Sequence, residues 1–155
     1  MAEKADFTIL GLDEVLKRLG KLNLEIGDAA GKRALRKAAR IVAKAARQNA
    51  LLVDDPKTGR RIRDNIRLQF ASRTYRKTGD IMYRVGVSTR RGRIPKGNPD
   101  EGKGGNTPHW EYVELGTENA RAQPFLRPAL SENVNKVIDT LVIELDKEIN
   151  KVLNE

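Results

Sequence analysis

The chain of 155 residues contains no cysteine. This absence excludes disulfides, thiolate metal sites and cysteine nucleophiles. Aromatic residues make up only 5% of the sequence, so a core must be built mainly from Leu, Ile, Val and Ala. No stretch approaches the roughly 18 apolar residues of a membrane-spanning helix, and the opening MAEKADFTIL lacks the apolar run of a signal peptide. We therefore expect a soluble protein that is used in the cytoplasm or in an assembly built there.

Groups able to perform catalysis are also scarce. The single histidine, His109, would need an orienting partner and a nucleophile to act as a general base, and no serine lies in a nucleophile elbow. We interpret His109 as a structural residue at the start of a strand. The acidic pairs at 54–55 and 100–101 lie in loops with nothing to raise the pKa of one member. We expect no enzymatic activity, cofactor, metal site or small-molecule substrate.

Positive charge is abundant and unevenly distributed. The chain has 30 basic and 21 acidic residues, a net charge of +9. Residues 51–108 hold 14 basic and 6 acidic side chains, whereas residues 109–155 hold 5 basic and 9 acidic ones. A basic middle could meet the acidic end of an identical subunit, or it could face nucleic acid.

Two arginine-rich clusters are the candidate contact residues. They lie at the ends of predicted elements or in loops, where a guanidinium fork can match phosphate oxygens. Because few aromatic side chains lie nearby, contact with nucleic acid would be made to its phosphate backbone and would not read its base sequence. These residues contact an acidic partner surface, nucleic acid or only water, and the sequence does not choose among the three. The candidates are Arg60, Arg61, Arg63, Arg90, Arg91, Arg93 and Lys96.

Apolar periodicity predicts three helices. The first begins near Asp13, a good N-cap residue, and we expect Gly27 to interrupt or end it. The second covers residues 32–50, with an alanine-rich face that allows close approach of a neighbouring element. The last runs from about 128 to 153 and carries a continuous apolar stripe.

Alternation with a period of two predicts strands. Residues 65–76 and 80–89 form an antiparallel hairpin around a turn at 77–80, and residues 7–12 and 109–115 are extended. Residues 90–108, rich in Gly and Pro, form a flexible basic loop. The prediction is a single α+β domain over residues 1–155. A small antiparallel sheet, the hairpin plus one or two further strands, packs against a long helix of the N-terminal half and a long C-terminal helix.

The segment 109–130, HWEYVELGTENARAQPFLRPAL, carries the most specific motifs. Two groups within it are a strand-like element that ends in Gly-Thr and a proline-bracketed turn, and Thr58-Gly59-Arg60 precedes both as a third landmark. The motif residues are Tyr112, Glu114, Gly116, Thr117, Pro124, Phe125, Leu126 and Pro128. In this order they resemble the signature of a phage tail-component family, also called the neck or tail-completion group and typified by gene product ten of a lambdoid long-tailed phage. The loop before Gly59 is two residues longer than the family pattern.

The resemblance implies a structural virion-assembly protein of a long-tailed phage or prophage. It would act at the head–tail joint or in tail completion, in a ring or bound to one, with copies of itself and neighbouring connector or tail proteins as partners. It implies a place in the virion after assembly in the host cytoplasm, and structural roles for the motif residues. The alternative is a small basic nucleic-acid-binding protein that contacts phosphates non-specifically. DNA in the channel could also contact the basic loops of the assembly protein.

Overall fold

The structure is a computed structural model that describes residues 11–54, 61–90 and 105–154. Within them the chain is mostly helical and carries one two-stranded antiparallel sheet, which confirms the α+β class. The elements are α1 (Leu12–Gly20), α2 (Leu24–Val53), α3 (Ile62–Asn65), β1 (Ile66–Phe70), α4 (Ser72–Thr78), β2 (Tyr83–Val87), α5 (Trp110–Leu115), α6 (Leu126–Ser131) and α7 (Val134–Leu153).

The chain divides into two compact units. The first consists of Met1–Ala38 and Asn135–Glu155, and the second of Ala39–Val134. Helix α2 crosses the boundary and contributes to both. No helix in the described part of the chain is long and apolar enough to cross a membrane.

The first unit is built on α1, the beginning of α2 and most of α7. Its buried core consists of Val15, Ala34, Leu145 and Ile149, with four partly buried aliphatic side chains packed around them. Asp13 lies inside the first turn of α1, and Gly11 occupies the capping position in a left-handed conformation. The first helix is thus confirmed close to its predicted start.

Helix α2 is longer than the predicted helix over 32–50. Gly27 does not end a helix; it lies buried inside the first part of α2. A Cβ atom there would lie 3.5 Å from the carbonyl oxygen of Leu19 and 3.9 Å from the Leu22 Cβ. These are ordinary van der Waals distances, so Gly27 lies in contact with the end of α1 and the connection that follows it, and the position does not require glycine.

The second unit has its own core. Ala46 and Ala50 of α2 pack with Ile62, Ile66, Phe125 and Ala129. Val85 and Val87 of β2 lie against this cluster, so the alanine face of α2 does meet the sheet. The strand register pairs Ile66 with Val87 and Phe70 with Tyr83, which confirms the antiparallel pairing.

Three predicted elements differ in the structure. Residues 72–76, expected to extend the first strand, and residues 77–78, expected in the turn, form α4, which ends where Gly79 adopts a φ of 79°. Residues 109–115 do not form a third strand, because 110–115 are helix α5. The predicted helix over 128–153 is two helices, α6 and α7, separated at Glu132 and Asn133.

Two predictions fall largely outside the described residues. Of the extended segment at 7–12, only residues 11 and 12 are described, and Leu12 opens α1. Of the loop at 90–108, residues 91–104 are not described. The single-domain organisation stays a prediction.

Candidate functional site

The predicted basic clusters are described only in part. Arg61, Arg63 and Arg90 are exposed, whereas Arg60, Arg91, Arg93 and Lys96 lie outside the described residues. The backbone around the first cluster is held by Asp54, whose carboxylate accepts hydrogen bonds from the N–H of Ile62 at 2.8 Å and of Arg63 at 3.1 Å. Asp54 thus caps the start of α3.

A second group of arginines lies on the hairpin and on α4, and the sequence reasoning did not select it. In the strand register Arg67 lies opposite Gly86, and Gln69 lies opposite Arg84. Because side chains alternate between the two faces of a strand, these four positions share the face opposite to Ile66 and Val87. The alternation of polar residues with the buried ones was the signal that could have found this face.

Two adjoining grooves connect this face with α4. One, of about 590 Å³, is lined by Arg67, Arg84 and Arg90. The other, of about 400 Å³, is lined by Arg73, Arg76, Arg84 and Arg90. Since both grooves share Gln69, Arg84 and Arg90, the surface is continuous. We call it the arginine face, defined by Arg67, Arg73, Arg76, Arg84 and Arg90.

No ion pair among the described residues compensates the positive charge of the arginine face. All five side chains are exposed, and Arg84 donates a long hydrogen bond of 3.4 Å to the Thr74 hydroxyl. Among the described residues, the ion pairs all involve other side chains. The guanidinium groups are therefore available to an external anion.

The motif residue Glu114 forms the most densely bonded buried site. Its carboxylate accepts backbone hydrogen bonds from Phe125 at 2.7 Å, Leu126 at 3.0 Å and Arg127 at 3.1 Å. The Arg127 Nε also donates to it at 3.1 Å, while another guanidinium nitrogen donates to the Glu114 backbone carbonyl at 2.6 Å. One carboxylate thus holds the end of α5 against the start of α6.

These contacts set the protonation state of Glu114. Burial by itself raises the pKa of this carboxyl, but the three backbone N–H donors and the Arg127 side chain outweigh burial and hold the pKa below its ordinary value. The carboxylate is ionised at neutral pH and acts as a hydrogen-bond acceptor. It therefore serves to position α6 and is not a proton donor.

Gly116 and Thr117 shape the turn after α5. Gly116 has a φ of 78°, and a Cβ atom there would lie 2.7 Å from the backbone nitrogen of Ala122. The Thr117 hydroxyl accepts hydrogen bonds from the N–H of Asn119 and of Ala120. The chain then returns so that the Gln123 N–H donates to the Val113 carbonyl at 2.8 Å. Only glycine fits this close approach without strain.

The remaining motif residues divide between core and surface. Phe125 is fully buried, and Leu126 packs against the second core. Pro124 is exposed and Pro128 half-buried. Tyr112 is 65% exposed and Leu115 is 68% exposed. Because they are three residues apart on α5, they share its outward side, whereas Trp110 and Val113 pack inward.

A comparison with protein families gives the chain its place. The family model described as "Bacteriophage HK97-gp10, putative tail-component" matches residues 13–116. The chain belongs to this family of phage tail components. No curated protein and no solved structure matches it.

The family match begins at Asp13, one residue after the start of α1, runs through α5 and ends at Gly116. Tyr112, Glu114 and the arginine face all lie within it. The turn at 123–129 lies beyond it, although Glu114 binds that turn directly. Within the described residues, no group of three or more His, Asp or Glu side chains could hold a metal ion.

Proposed function

We propose that this tail-component family member is a structural virion-assembly protein of a long-tailed phage or prophage that acts at the head–tail joint or in tail completion. It would form part of a ring together with copies of itself and neighbouring connector or tail proteins. The observation that carries the proposal is family membership across α1 to α5. The site built on Glu114 supports a structural role, because it organises backbone and offers no nucleophile or proton donor.

Exposed apolar side chains support assembly with a protein partner. Tyr112 and Leu115 project from α5 although both are large enough to fill a core. The hydrogen bonds that Glu114 accepts fix the end of this helix, so the exposed pair is presented on a fixed element. Aromatic residues are enriched in the buried centre of protein–protein interfaces. A ring requires one surface of a subunit to meet a different surface of the next, and we assign the α5 pair to one such surface.

The alternative is a small basic nucleic-acid-binding protein. Its support is the exposure of Arg61, Arg63 and Arg90 among the residues first selected for phosphate contact. It would leave the exposed pair on α5 without a role, so we favour assembly.

Electron microscopy of lysates after deletion of the gene from its phage or prophage tests the proposal. We expect separate full heads and tails, or tails of abnormal length, and restoration of particles by a plasmid copy. Normal infectious particles after deletion would overturn the assembly role.

The exposed pair on α5 can be tested in the same complementation. A double variant, Tyr112→Ser with Leu115→Ser, should fold and yet fail to restore particles. Glu111→Ser is the matched control, since Glu111 is exposed on the same helix. Full complementation by the double variant would show that the exposed pair on α5 is not part of an assembly interface.

A further inference from the structure

We propose that the arginine face binds the phosphate backbone of duplex DNA, without reading its sequence. The choice of DNA rests on the proposed function, because a protein at the head–tail joint or in the tail lies along the path of the packaged genome. The site differs from the loop arginines considered above, since four of its five members lie on β1, α4 and β2.

The geometry of the face suits an extended polyanion. Arg67 and Arg84 are held by the paired strands, and Arg73 and Arg76 by α4. The two adjoining grooves spread these charges over one surface, with Arg84 and Arg90 shared between them. Guanidinium groups on rigid elements lose less freedom on binding phosphate than those on loops.

An open position lies in the middle of the face. Gly86 stands opposite Arg67 in the register, and a Cβ atom there would meet nothing within 4 Å. This leaves room for a phosphate group beside the arginine. It also allows a negative side chain to be introduced without a steric clash.

Charge favours an external polyanion over a second copy of the chain. Residues 61–90 carry eight basic and two acidic side chains. The largest group of acidic side chains on another copy would be that of α7, and three of its four carboxylates are already paired within their own unit. Asp146 pairs with Arg18, Glu148 with Arg33 and Glu144 with Lys37. To serve the arginine face of another copy, they would first have to leave these partners.

The aromatic side chains indicate that bases are not read. Phe70 and Tyr83 are cross-strand partners on the side of the sheet opposite to Gln69 and Arg84. Their ring centroids are 5.3 Å apart, and Tyr75 lies 5.5 Å from Phe70. The rings contact one another instead of forming a platform for bases. Arginine contacts without stacking position DNA by its phosphates.

The test is fluorescence anisotropy with the purified full chain and a short labelled duplex of mixed sequence, titrated at several salt concentrations. The variants are Arg67→Gln with Arg84→Gln, and separately Gly86→Glu. The control is Arg36→Gln with Arg40→Gln, which removes the same charge from exposed positions of α2. Circular dichroism establishes that each variant is folded.

We expect the wild type to bind duplexes of unrelated sequence equally and to lose affinity steeply with salt. Removal of two phosphate contacts should lower the slope of log K against log salt by about 2 and weaken binding about tenfold or more at low salt. Gly86→Glu should weaken binding similarly, whereas the α2 control should change it by less than about threefold.

Three results would overturn the inference: no DNA binding at low salt, equal losses for the face and control variants, or displacement of DNA by polyglutamate at equal charge concentration. The last would assign the face to an acidic protein. The deletion phenotype is a separate readout. A defect in particle assembly combined with no DNA binding would leave the proposed function standing and remove only this inference.

Discussion

At the scale of single residues, Glu114 is the side chain on which most of the family motif depends. Its carboxylate accepts three consecutive backbone N–H groups at the start of α6 and one guanidinium N–H. The first N–H groups of a helix have no partner inside the helix. A buried anion that satisfies three of them from another helix therefore fixes both the chain path and the position of Phe125 in the core.

Replacement of Glu114 by Gln should destabilise the second unit. Gln keeps the shape but loses the charge, and it turns an NH2 group toward N–H donors. We expect a loss of about 2–3 kcal/mol in the free energy of unfolding, measured by urea denaturation at neutral pH. Glu118→Gln is the control, because Glu118 is exposed. Equal stability of the two variants would mean that the carboxylate contributes nothing beyond its shape.

The same carboxyl predicts an acid dependence of stability. In the unfolded chain it titrates near 4.5, and in the folded chain its pKa is lower. Its contribution is therefore complete above the unfolded value and is lost as the pH falls through the folded value. The stability gap between wild type and Glu114→Gln should narrow progressively below about pH 4.5. A gap that stays constant into strong acid would contradict the ionised state.

Gly116→Ala should be more harmful than the same change at Gly79. Both glycines have a φ near 80°, so alanine is strained at either position. At Gly79 a Cβ atom meets nothing within 4 Å, whereas at Gly116 it meets the Ala122 backbone. We expect about 1 kcal/mol at Gly79 and at least about 2 kcal/mol at Gly116 from thermal unfolding. Equal losses would show that the turn relaxes to admit the methyl group.

At the scale of elements, the long helices and the strand pairing could be predicted, and the short elements could not. Helix α7 has many apolar residues at one spacing, so a single irregular position changes little. Segment 110–115 has only six residues. The spacing of two between Trp110 and Tyr112 fits a strand, and the spacing of three between Trp110 and Val113 fits a helix equally well. The choice depends on Glu114 and its partners on α6, eleven to thirteen residues further along the chain.

Helix α4 had a local signal that periodicity alone did not reveal. Arg76 and Lys77 lie in its last turn, and Gly79 follows with a positive φ. Basic residues before a glycine are typical of a helix C-terminus. Of the arginine face only Arg90 was among the candidates selected from the sequence, and the others were missed for a related reason, since two of them lie on this helix. A site that combines a hairpin with an unpredicted helix cannot be assembled from strand alternation alone.

The close packing of the alanine face of α2 predicts that larger side chains at its buried positions destabilise the protein. Ala46 is fully buried against the second core, so Ala46→Leu should overpack it and destabilise the protein by about 1–3 kcal/mol. Gln48→Leu, at an exposed position of the same helix, should change stability by less than about 0.5 kcal/mol. Urea denaturation monitored at Trp110, which packs on this cluster, measures both. A neutral Ala46→Leu would show that the helix and the core can separate without cost.

At the scale of the whole molecule, some charged side chains pair within the chain and others are exposed to a partner. The sequence alone allowed the acidic end to meet the basic middle of another copy. In the structure, Glu144, Asp146 and Glu148 on α7 pair with basic residues of α1 and α2. The pKa of Glu144 is lowered chiefly by its hydrogen bond from Lys37. Three of the nine acidic side chains that composition made available to a partner are thus already engaged inside the first unit.

A triple neutralisation of α7 decides between these uses of charge. The variant combines Glu144→Gln, Asp146→Asn and Glu148→Gln. Ion pairs that stay partly open to solvent contribute little to stability, so we expect a folded protein that still restores particles in the complementation assay. The variant should also bind DNA at least as well as the wild type, because its net charge is more positive. A folded variant that fails to assemble would instead show that α7 supplies the acidic half of a head-to-tail contact between copies, and the arginine face would then be its natural partner.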